Sequence, residues 1–267
     1  MKHITRGLAL ALALIIVALP ACAATFRAQV TGILSDWEAN DKACDTVDRQ
    51  KANGAYCAAR LLSVICSEVD DGAWTDVIRG IDEMFVSDDQ AANTALKAQV
   101  NGLYRCVEYM YVFTSALDVN GAWRQSIATV WNNYEAGDAA ARSSKGMAAQ
   151  ALDCVAEFAY IAACICDAPG AYAVNIDEYW DAYQSAVGKG SLNAQMVNAS
   201  AAAAEFMYIA DRSVDTNNRY RARTNEIMDR FDALRAASAN QDQQIVNGLY
   251  RLVELLGVMG HQLAAGR

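Results

Sequence analysis

The sequence contains few of the residues that interrupt helices or activate nucleophiles. It has two prolines, Pro20 and Pro169, and two histidines, His3 and His261. Proline interrupts a helix, so its scarcity permits long helices throughout the chain. Because His3 lies in the extreme N-terminal segment, a histidine-activated nucleophile or a zinc site would depend on His261 alone. No G-x-S-x-G segment or glycine-rich phosphate loop occurs, and we therefore expect a protein that is not an enzyme and has no cofactor or metal.

Basic residues are also scarce. The chain has 22 Lys and Arg against 31 Asp and Glu, a net charge of −9. Loss of an N-terminal segment containing Lys2 and Arg6 would make the net charge about −11. An acidic surface repels phosphate backbones, so we expect no nucleic-acid partner. Basic or neutral proteins and peptides fit this charge better.

The N-terminal segment has the pattern of a secretory signal peptide, which we place at residues 1–23. A positively charged start is followed by an apolar run at 8–19 and by the small-residue site Ala21-Cys22-Ala23. The apolar run is too short for a stable membrane span. Cleavage after the third of these small residues is therefore the favoured interpretation.

The same segment supports a second interpretation. Leu19-Pro20-Ala21-Cys22 resembles a bacterial lipoprotein box, in which Cys22 would carry a lipid anchor. In either case we expect residues 24–267 to form one exported helical-repeat domain, periplasmic or secreted, or else anchored to the membrane as a lipoprotein. No later segment is long and charge-free enough to predict a transmembrane helix.

Composition predicts that every element is an α-helix. Alanine is abundant and β-branched runs are few, which favours helices. The S-D-D-Q segment that starts at Ser87 is typical of a helix N-terminus, and the G-K-G-S segment that ends at Ser191 indicates a break followed by a new helix start.

An internal repeat is the most informative feature. The segment VNGLYRCVE at 100–108 returns as VNGLYRLVE at 246–254, with eight of nine residues identical. Weaker copies place Glu157 and Glu205 at the position of the final glutamate, and an earlier copy places Arg60 there. The spacing between successive copies is 48, 49, 48 and 49 residues.

A second segment repeats with the same period and starts each time with an aromatic residue. These aromatic residues are Phe26, Trp74, Trp123, Tyr172 and Tyr220. Large apolar residues follow at helical spacing, which indicates an amphipathic helix. We predict an all-α fold of five tandem helical hairpins of 48 to 49 residues, stacked as an α-solenoid or as a compact helical-repeat bundle. The pattern leaves the choice open, and we favour the right-handed α-solenoid.

Polar residues of the repeat form a stripe. Asn101, Arg105 and Glu108 are four and three residues apart, so they share one helical face. Related positions occur in the later copies, with Gln150 replacing asparagine in one of them. The predicted stripe comprises Asn101, Arg105, Glu108, Glu157, Asn198, Glu205, Asn247, Arg251 and Glu254.

This stripe has two interpretations. It is either a groove that binds a peptide or a cationic ligand, or an internal ladder that pairs neighbouring repeats, for example Arg60 with Glu108. The aromatic residues raise a similar choice, since they could form a ligand platform or pack between helices, and helical spacing favours packing. They are Trp74, Trp123, Trp131, Tyr134, Tyr179, Trp180 and Tyr183.

Seven of the eight cysteines lie beyond Cys22. In an oxidising compartment most of them should pair, and the odd number leaves at least one unpaired. Cys57, Cys106 and Cys154 occupy nearly the same repeat position, so we expect a disulfide between the first two or between the last two. Neighbouring helices are usually too far apart for a disulfide, and free buried thiols are the alternative.

The sequence predicts an exported helical-repeat scaffold that binds another protein or a peptide. An alternative from another class is a periplasmic carrier that holds a small apolar ligand between the more apolar helices. An enzyme based on the repeated carboxylates would need two of them in unlike surroundings, and the near-identity of the repeats does not indicate such a difference.

Overall fold

The computed structural model describes residues 20–238 and 240–266. This part contains ten α-helices and no strand, and helix makes up 83% of it, which confirms the all-α prediction. The predicted signal peptide up to residue 19, and the side chain of Cys22, lie outside what the structure describes. The helices are α1 Pro20–Ala43, α2 Val47–Val69, α3 Thr75–Ala91, α4 Ala95–Leu117, α5 Arg124–Ala140, α6 Ser144–Cys166, α7 Ala173–Ala186, α8 Leu192–Val214, α9 Arg221–Ala237 and α10 Gln241–Ala265.

Each even-numbered helix begins at a residue whose side chain caps its first turn. Thr94 Oγ1 accepts a hydrogen bond from Lys97 N at 3.2 Å, and Ser191 Oγ accepts one from Ala194 N at 3.2 Å. The capping residues are Thr46, Thr94, Ser143, Ser191 and Asn240. The predicted start at Ser191 is confirmed. The predicted start at Ser87 is wrong, because α3 continues through it to Ala91.

An aspartate near the end of an even-numbered helix organises the turn into the next helix. Asp167 accepts hydrogen bonds from the main-chain N–H groups of Ala171 at 2.9 Å and Tyr172 at 2.8 Å. Gly170 in this turn has φ 73°, a left-handed conformation that glycine adopts without steric cost. The same aspartate role recurs at Asp70, Asp118 and Asp215.

The even-numbered helices pack side by side in a closed ring. α2 contacts α4, α4 contacts α6, α6 contacts α8, α8 contacts α10, and α10 contacts α2. Lys51 Nζ near the start of α2 lies 2.9 Å from Asp242 Oδ1 near the start of α10, and further along Gly54 faces Leu249, so these helices run in the same direction. Closure of the ring gives compact packing in place of the open solenoid that we favoured from the sequence.

The odd-numbered helices form an outer layer. Each packs against the even-numbered helix that follows it and against the one that precedes it, and α1 takes α10 as its preceding neighbour. The amphipathic segments that begin at the five aromatic residues supply these outer helices. Their apolar faces turn inward, as Ile127, Val130 and Tyr134 of α5 show by being buried.

Small residues allow the even-numbered helices to approach closely. A Cβ atom on Gly102 of α4 would lie 2.8 Å from the main-chain carbon of Ala55 on α2. Gly54 of α2 sits at the same repeat position, and a Cβ atom there would lie 3.0 Å from Leu249 Cβ on α10. The interface between α10 and α2, which closes the ring, therefore has a glycine at the same repeat position as the interface between α2 and α4.

The helices bury a continuous apolar core. At one repeat position of the even-numbered helices the side chains are at most 1% exposed, and these are Leu62, Met110, Ala159, Met207 and Leu256. Burial of a large aliphatic side chain stabilises the fold by about 1.5–3 kcal/mol. α6 is the one described helix that is long and apolar enough to cross a membrane by composition, and 67% of its most apolar stretch is buried between neighbouring helices.

Candidate functional site

The amide residues of the predicted stripe connect inner and outer helices. Asn101 Nδ2 donates a hydrogen bond to the Phe85 carbonyl at 3.4 Å, and Asn198 Nδ2 donates one to the Tyr183 carbonyl at 3.2 Å. Equivalent bonds join Asn53 to the Trp37 carbonyl at 3.1 Å, Gln150 to the Tyr134 carbonyl at 3.1 Å and Asn247 to the Ser238 hydroxyl at 3.3 Å. Four of these bonds satisfy a main-chain carbonyl of an outer helix and the fifth reaches the Ser238 hydroxyl just after α9, which favours the internal-ladder interpretation for the amides.

On α4 the charged residues of the stripe pair with each other. Arg105 Nη1 lies 2.6 Å from Glu108 Oε2, and Arg105 Nη2 lies 3.4 Å from Asp88 Oδ2. The arginine side chain is only 7% exposed. Burial raises the pKa of Glu108 to about 7, although Arg105 acts to lower it. The arginine therefore uses its charge inside the fold.

The charged residues in the last copy of the stripe also form ion pairs inside the fold. Arg251, whose side chain is 2% exposed, lies 3.5 Å from Asp232 on α9. Glu254 is paired with Arg230 and lies 3.1 Å from Arg223, both on α9. Desolvation lowers the pKa of Arg251, and the nearby carboxylates oppose this effect.

Two further positions complete the set of ion pairs. Glu205 lies 3.8 Å from Arg235 on α9. Arg60 lies 3.0 Å from Asp36 on α1, so the expected pair between Arg60 and Glu108 is not formed. At this repeat position Arg60, Glu205 and Glu254 have their partners on outer helices, whereas Glu108 pairs with Arg105 of its own helix.

Glu157 on α6 differs from the rest of the stripe. Cys154 occupies the position that Arg105 holds on α4 and Arg251 holds on α10. No lysine or arginine of the described chain acts on Glu157, and the charged group that does act on it is Asp153. Burial, with Asp153 as the second cause, raises the pKa of Glu157 to about 7.

Asp153 and Glu157 together form an acidic pair. Asp153 stands at the repeat position held by Tyr104 on α4, so an aromatic ring is replaced by a carboxylate. Burial raises the pKa of Asp153 to about 6, while the hydroxyl of Tyr183, 3.4 Å from its Oδ1, acts to lower it. The repeat pattern predicted only Glu157 of the acidic pair Asp153 and Glu157 as a site residue.

Gln150 lies one turn before this acidic pair. Its side chain fills the space beside Gly137 of α5. A Cβ atom added to Gly137 would lie 2.7 Å from Gln150 Cγ. The Gln150 Oε1 atom is buried without a hydrogen-bond partner in the described chain. Gln150, Asp153 and Glu157 therefore place three acceptor groups on neighbouring turns of α6, where α4 has Asn101, Tyr104 and Glu108.

The aromatic residues pack between helices. Tyr160 and Trp180 stack with ring centroids 4.1 Å apart, and Tyr111 and Trp131 lie 4.7 Å apart in a tilted arrangement. Each pair joins an inner helix to the outer helix that follows it. The geometry favours the packing interpretation over an exposed platform.

The expected disulfides are not formed in the structure. All seven cysteines of the described chain, including Cys57, Cys106 and Cys154, are free thiols. Cys57 Sγ lies 3.9 Å from Asn53 Oδ1, whereas Cys106 Sγ lies 3.7 Å from the Ala55 carbonyl. The two residues are one position apart in the repeat, and one position rotates a side chain by about 100° around a helix, so these thiols face different neighbours.

A shallow groove of about 430 Å³ lies where the α1–α2 and α3–α4 turns meet. Its lining includes Asn40, Cys44, Arg49, Asn93 and Thr94. Burial is the first cause that raises the pKa of the Cys44 thiol, which makes it a weak nucleophile. The groove lies away from the acidic pair.

A comparison of the chain with protein-family models, curated proteins and solved structures finds no match. The interpretation of the candidate site therefore depends on its own geometry.

Proposed function

We propose that this chain is an exported scaffold of five copies of one helical hairpin, and that it binds a protein or peptide through a cationic side chain of that partner. The five-copy interpretation is supported by capping residues and turn aspartates that recur at the sequence period. It is also supported by the ring, in which every inner helix packs against two other inner helices and against two outer helices.

The observation that carries the binding proposal is the acidic pair Asp153 and Glu157. On α4 and α10 the corresponding glutamates have an arginine within the chain, at Arg105 and Arg230. On α6 Cys154 stands at the repeat position of Arg105, and Asn133 of α5 stands at that of Arg230, so the acidic pair keeps two carboxylates without a cation. A guanidinium or ammonium group from a partner would supply the missing charge.

The chemistry of the acidic pair favours an organic cation on a peptide. Two carboxylates offer several acceptor oxygens, and a guanidinium group donates several hydrogen bonds in a fixed plane. The net charge of −9 would speed the approach of a basic partner. Arginine is therefore the expected side chain, with lysine the weaker ligand.

The test is a titration of the native protein with acetyl-arginine amide and with its uncharged citrulline counterpart, followed by amide chemical shifts. We expect saturable shifts around α6 and α7 with arginine only, and their loss in Glu157→Gln. Asp76→Asn is the matched control, because its side chain is 86% exposed and it removes the same unit of charge. Equal shifts in both variants would mean that net charge alone attracts the ligand, and the proposal would fail.

A pull-down from the cell envelope addresses the partner itself. We expect the native protein and Asp76→Asn to retain a common protein that Glu157→Gln loses, with Glu157→Gln melting no lower than the native protein. Retention by all three forms would place the binding surface elsewhere.

Export is part of the proposal. Residues 1–23 would be removed as a signal peptide, or Cys22 would carry a lipid in the periplasm. Phe26, at 3% exposed, is the first buried side chain among those of α1 that the structure describes, so cleavage after Ala23 would keep this core contact in place. The absence of catalysis and the alternative role as a carrier of an apolar ligand remain predictions.

A further inference from the structure

Asp211 is the most deeply buried carboxyl group of the described chain. It lies in the last turn of α8 and its residue is 0% exposed. Neither of its carboxylate oxygens has a hydrogen-bond partner in the described part. Its main-chain carbonyl accepts a hydrogen bond from Gln262 Nε2 of α10 at 3.3 Å, which places it at the interface between α8 and α10.

The groups around Asp211 supply no positive charge to it. From α6 the neighbouring titratable group is the Cys166 thiol, and from its own chain segment it is the Asp215 carboxylate. From α10 the neighbour is Gln262, whose Oε1 atom is also buried and unpartnered in the described chain. The pKa of His261, the residue before Gln262 on α10, is lowered by burial and by the charge of Arg27 on α1.

The remaining outer helices offer no cation to Asp211 either. The guanidinium of Arg212 is directed to the Tyr172 hydroxyl before α7, 3.3 Å from its Nη2. Before α9, the Tyr220 hydroxyl donates to the His261 carbonyl at 3.1 Å. Arg212 Nη2 is therefore engaged with Tyr172, while Arg212 Nη1 is buried without a hydrogen-bond partner in the described chain, and the one charged group that acts on Asp211 is Asp215.

An ionised carboxylate in this setting is unstable. A buried charge without a partner is far more costly than a neutral acid, which can donate its proton to a nearby carbonyl. Desolvation raises the pKa of Asp211 well above its ordinary value, and the Asp215 charge adds to this effect. The corresponding position of α4 holds Thr114, whose hydroxyl donates to the Met110 carbonyl at 2.8 Å, so a neutral donor fits this place in the fold.

We propose that Asp211 is a pH-sensitive latch of the ring. As a neutral acid it lies buried between α6, α8 and α10. When it ionises it must reach water, and this requires the C-terminal turn of α8 to separate from α10. The ring is therefore tightest in acid and loosens at this end as the pH rises.

The direction of the effect follows from proton binding. A raised pKa means that the folded state keeps a proton that the unfolded state has released, so folding stability decreases with rising pH. The decrease begins near the unfolded aspartate pKa of about 4 and continues to the folded pKa, with the unfolding equilibrium constant rising up to about tenfold per pH unit.

The test is denaturant unfolding of the full exported chain from pH 4 to pH 9, for the native protein, Asp211→Asn and the exposed control Asp76→Asn. We expect Asp211→Asn to match the native protein at pH 4 and to become progressively more stable than it above that pH, whereas the control follows the native curve. Native and Asp211→Asn curves that remain parallel over the whole range would overturn the proposal.

A second variant, Asp211→Thr, and a hydrogen-exchange measurement test the proposal independently of Asp211→Asn. Asp211→Thr copies the residue found at Thr114, and it should also remove the pH-dependent component. In the native protein, hydrogen exchange of the last turns of α8 and α10 should accelerate with pH beyond its intrinsic increase, and this extra acceleration should be absent from both variants. Identical exchange in native and variant chains would contradict the latch.

Discussion

Tyr250, on the last helix of the chain, donates a hydrogen bond to Asp41 near the end of the first helix. Tyr104 makes the same contact with Asp138 on α5. The two tyrosines occupy the same position of the near-identical segments at 100–108 and 246–254. The contact that joins α10 to α1 is therefore the same one that joins α4 to α5.

Tyr250→Ala should weaken the closing interface. The ring of Tyr250 packs edge-on against Trp37 with centroids 5.0 Å apart, and it also covers Gly54. We expect a loss of about 2–4 kcal/mol in the free energy of unfolding, measured by urea denaturation. Tyr104→Ala is the matched variant inside the ring and should cost a similar amount. A negligible effect of Tyr250→Ala beside a large effect of Tyr104→Ala would show that the ring is open in solution.

Gly102→Ala tests the close approach of the inner helices. An added methyl group would lie 2.8 Å from the main chain of Ala55, which cannot move as a flexible side chain would. We expect a loss of about 1–3 kcal/mol in unfolding free energy. Gly32→Ala is the control, because nothing lies within 4 Å of its added Cβ atom and alanine favours a helix by about 0.5–1 kcal/mol. The idea fails if both variants stabilise the protein.

The sequence predicted the elements of this fold well because the signals for them are local. Apolar spacing within α5 and the G-K-G-S segment before α8 each report on a few adjacent residues. Closure of the ring is not local, since it depends on the sum of several angles between helices, and no single residue such as Gly54 encodes it. The turn aspartates, for example Asp167, were missed although they recur at the repeat period.

The candidate site was predictable in part. Glu157 was selected because it belongs to the repeated stripe, but the repeat also concealed its difference from Glu108. That difference comes from Cys154 and Asp153, which depart from the repeat, so departures from the pattern were more informative than the pattern. Nothing in the sequence distinguished Asp211 from any other polar residue near a helix end.

Glu157→Gln should change how stability depends on pH. The pKa of Glu157 is raised to about 7, so the folded state holds a proton that the unfolded state loses near pH 4, and stability falls between these two values. We expect the variant to be more stable than the native protein by about 1–3 kcal/mol at pH 8 and equal to it near pH 4, in urea denaturation.

Glu254→Gln supplies the contrast to that variant. Glu254 is paired with Arg230 and Arg223, so its loss leaves cations of α9 without their partner. We expect this variant to be less stable than the native protein at pH 8. If instead Glu157→Gln is also destabilising at pH 8, Glu157 has a cation inside the folded chain and is not a free acceptor.

Asp167→Ala should weaken the turn between α6 and α7. The carboxylate accepts hydrogen bonds from the N–H groups of Ala171 and Tyr172, and the residue is only 6% exposed. We expect a loss of about 1–3 kcal/mol in unfolding free energy, since two donors are left without partners. Asp167→Asn keeps one acceptor oxygen and should recover part of the loss. Thermal melts of both variants and the native protein measure these differences. Equal behaviour of both variants and the native protein would show that water replaces the carboxylate.

The thiols should remain reduced even in an exported chain. Cys66 and Cys106 are at most 1% exposed, and burial raises the pKa of each thiol far above its ordinary value, so neither forms the reactive thiolate readily. Cys44, in the groove between two turns, is less buried and should react first with a maleimide in the native state. After unfolding without reductant, every cysteine of the exported chain should become labelled, which mass spectrometry can count. A mass lower by two hydrogen atoms, with two cysteines that resist labelling, would instead establish a disulfide and require the inner helices to approach more closely than they do in this ring.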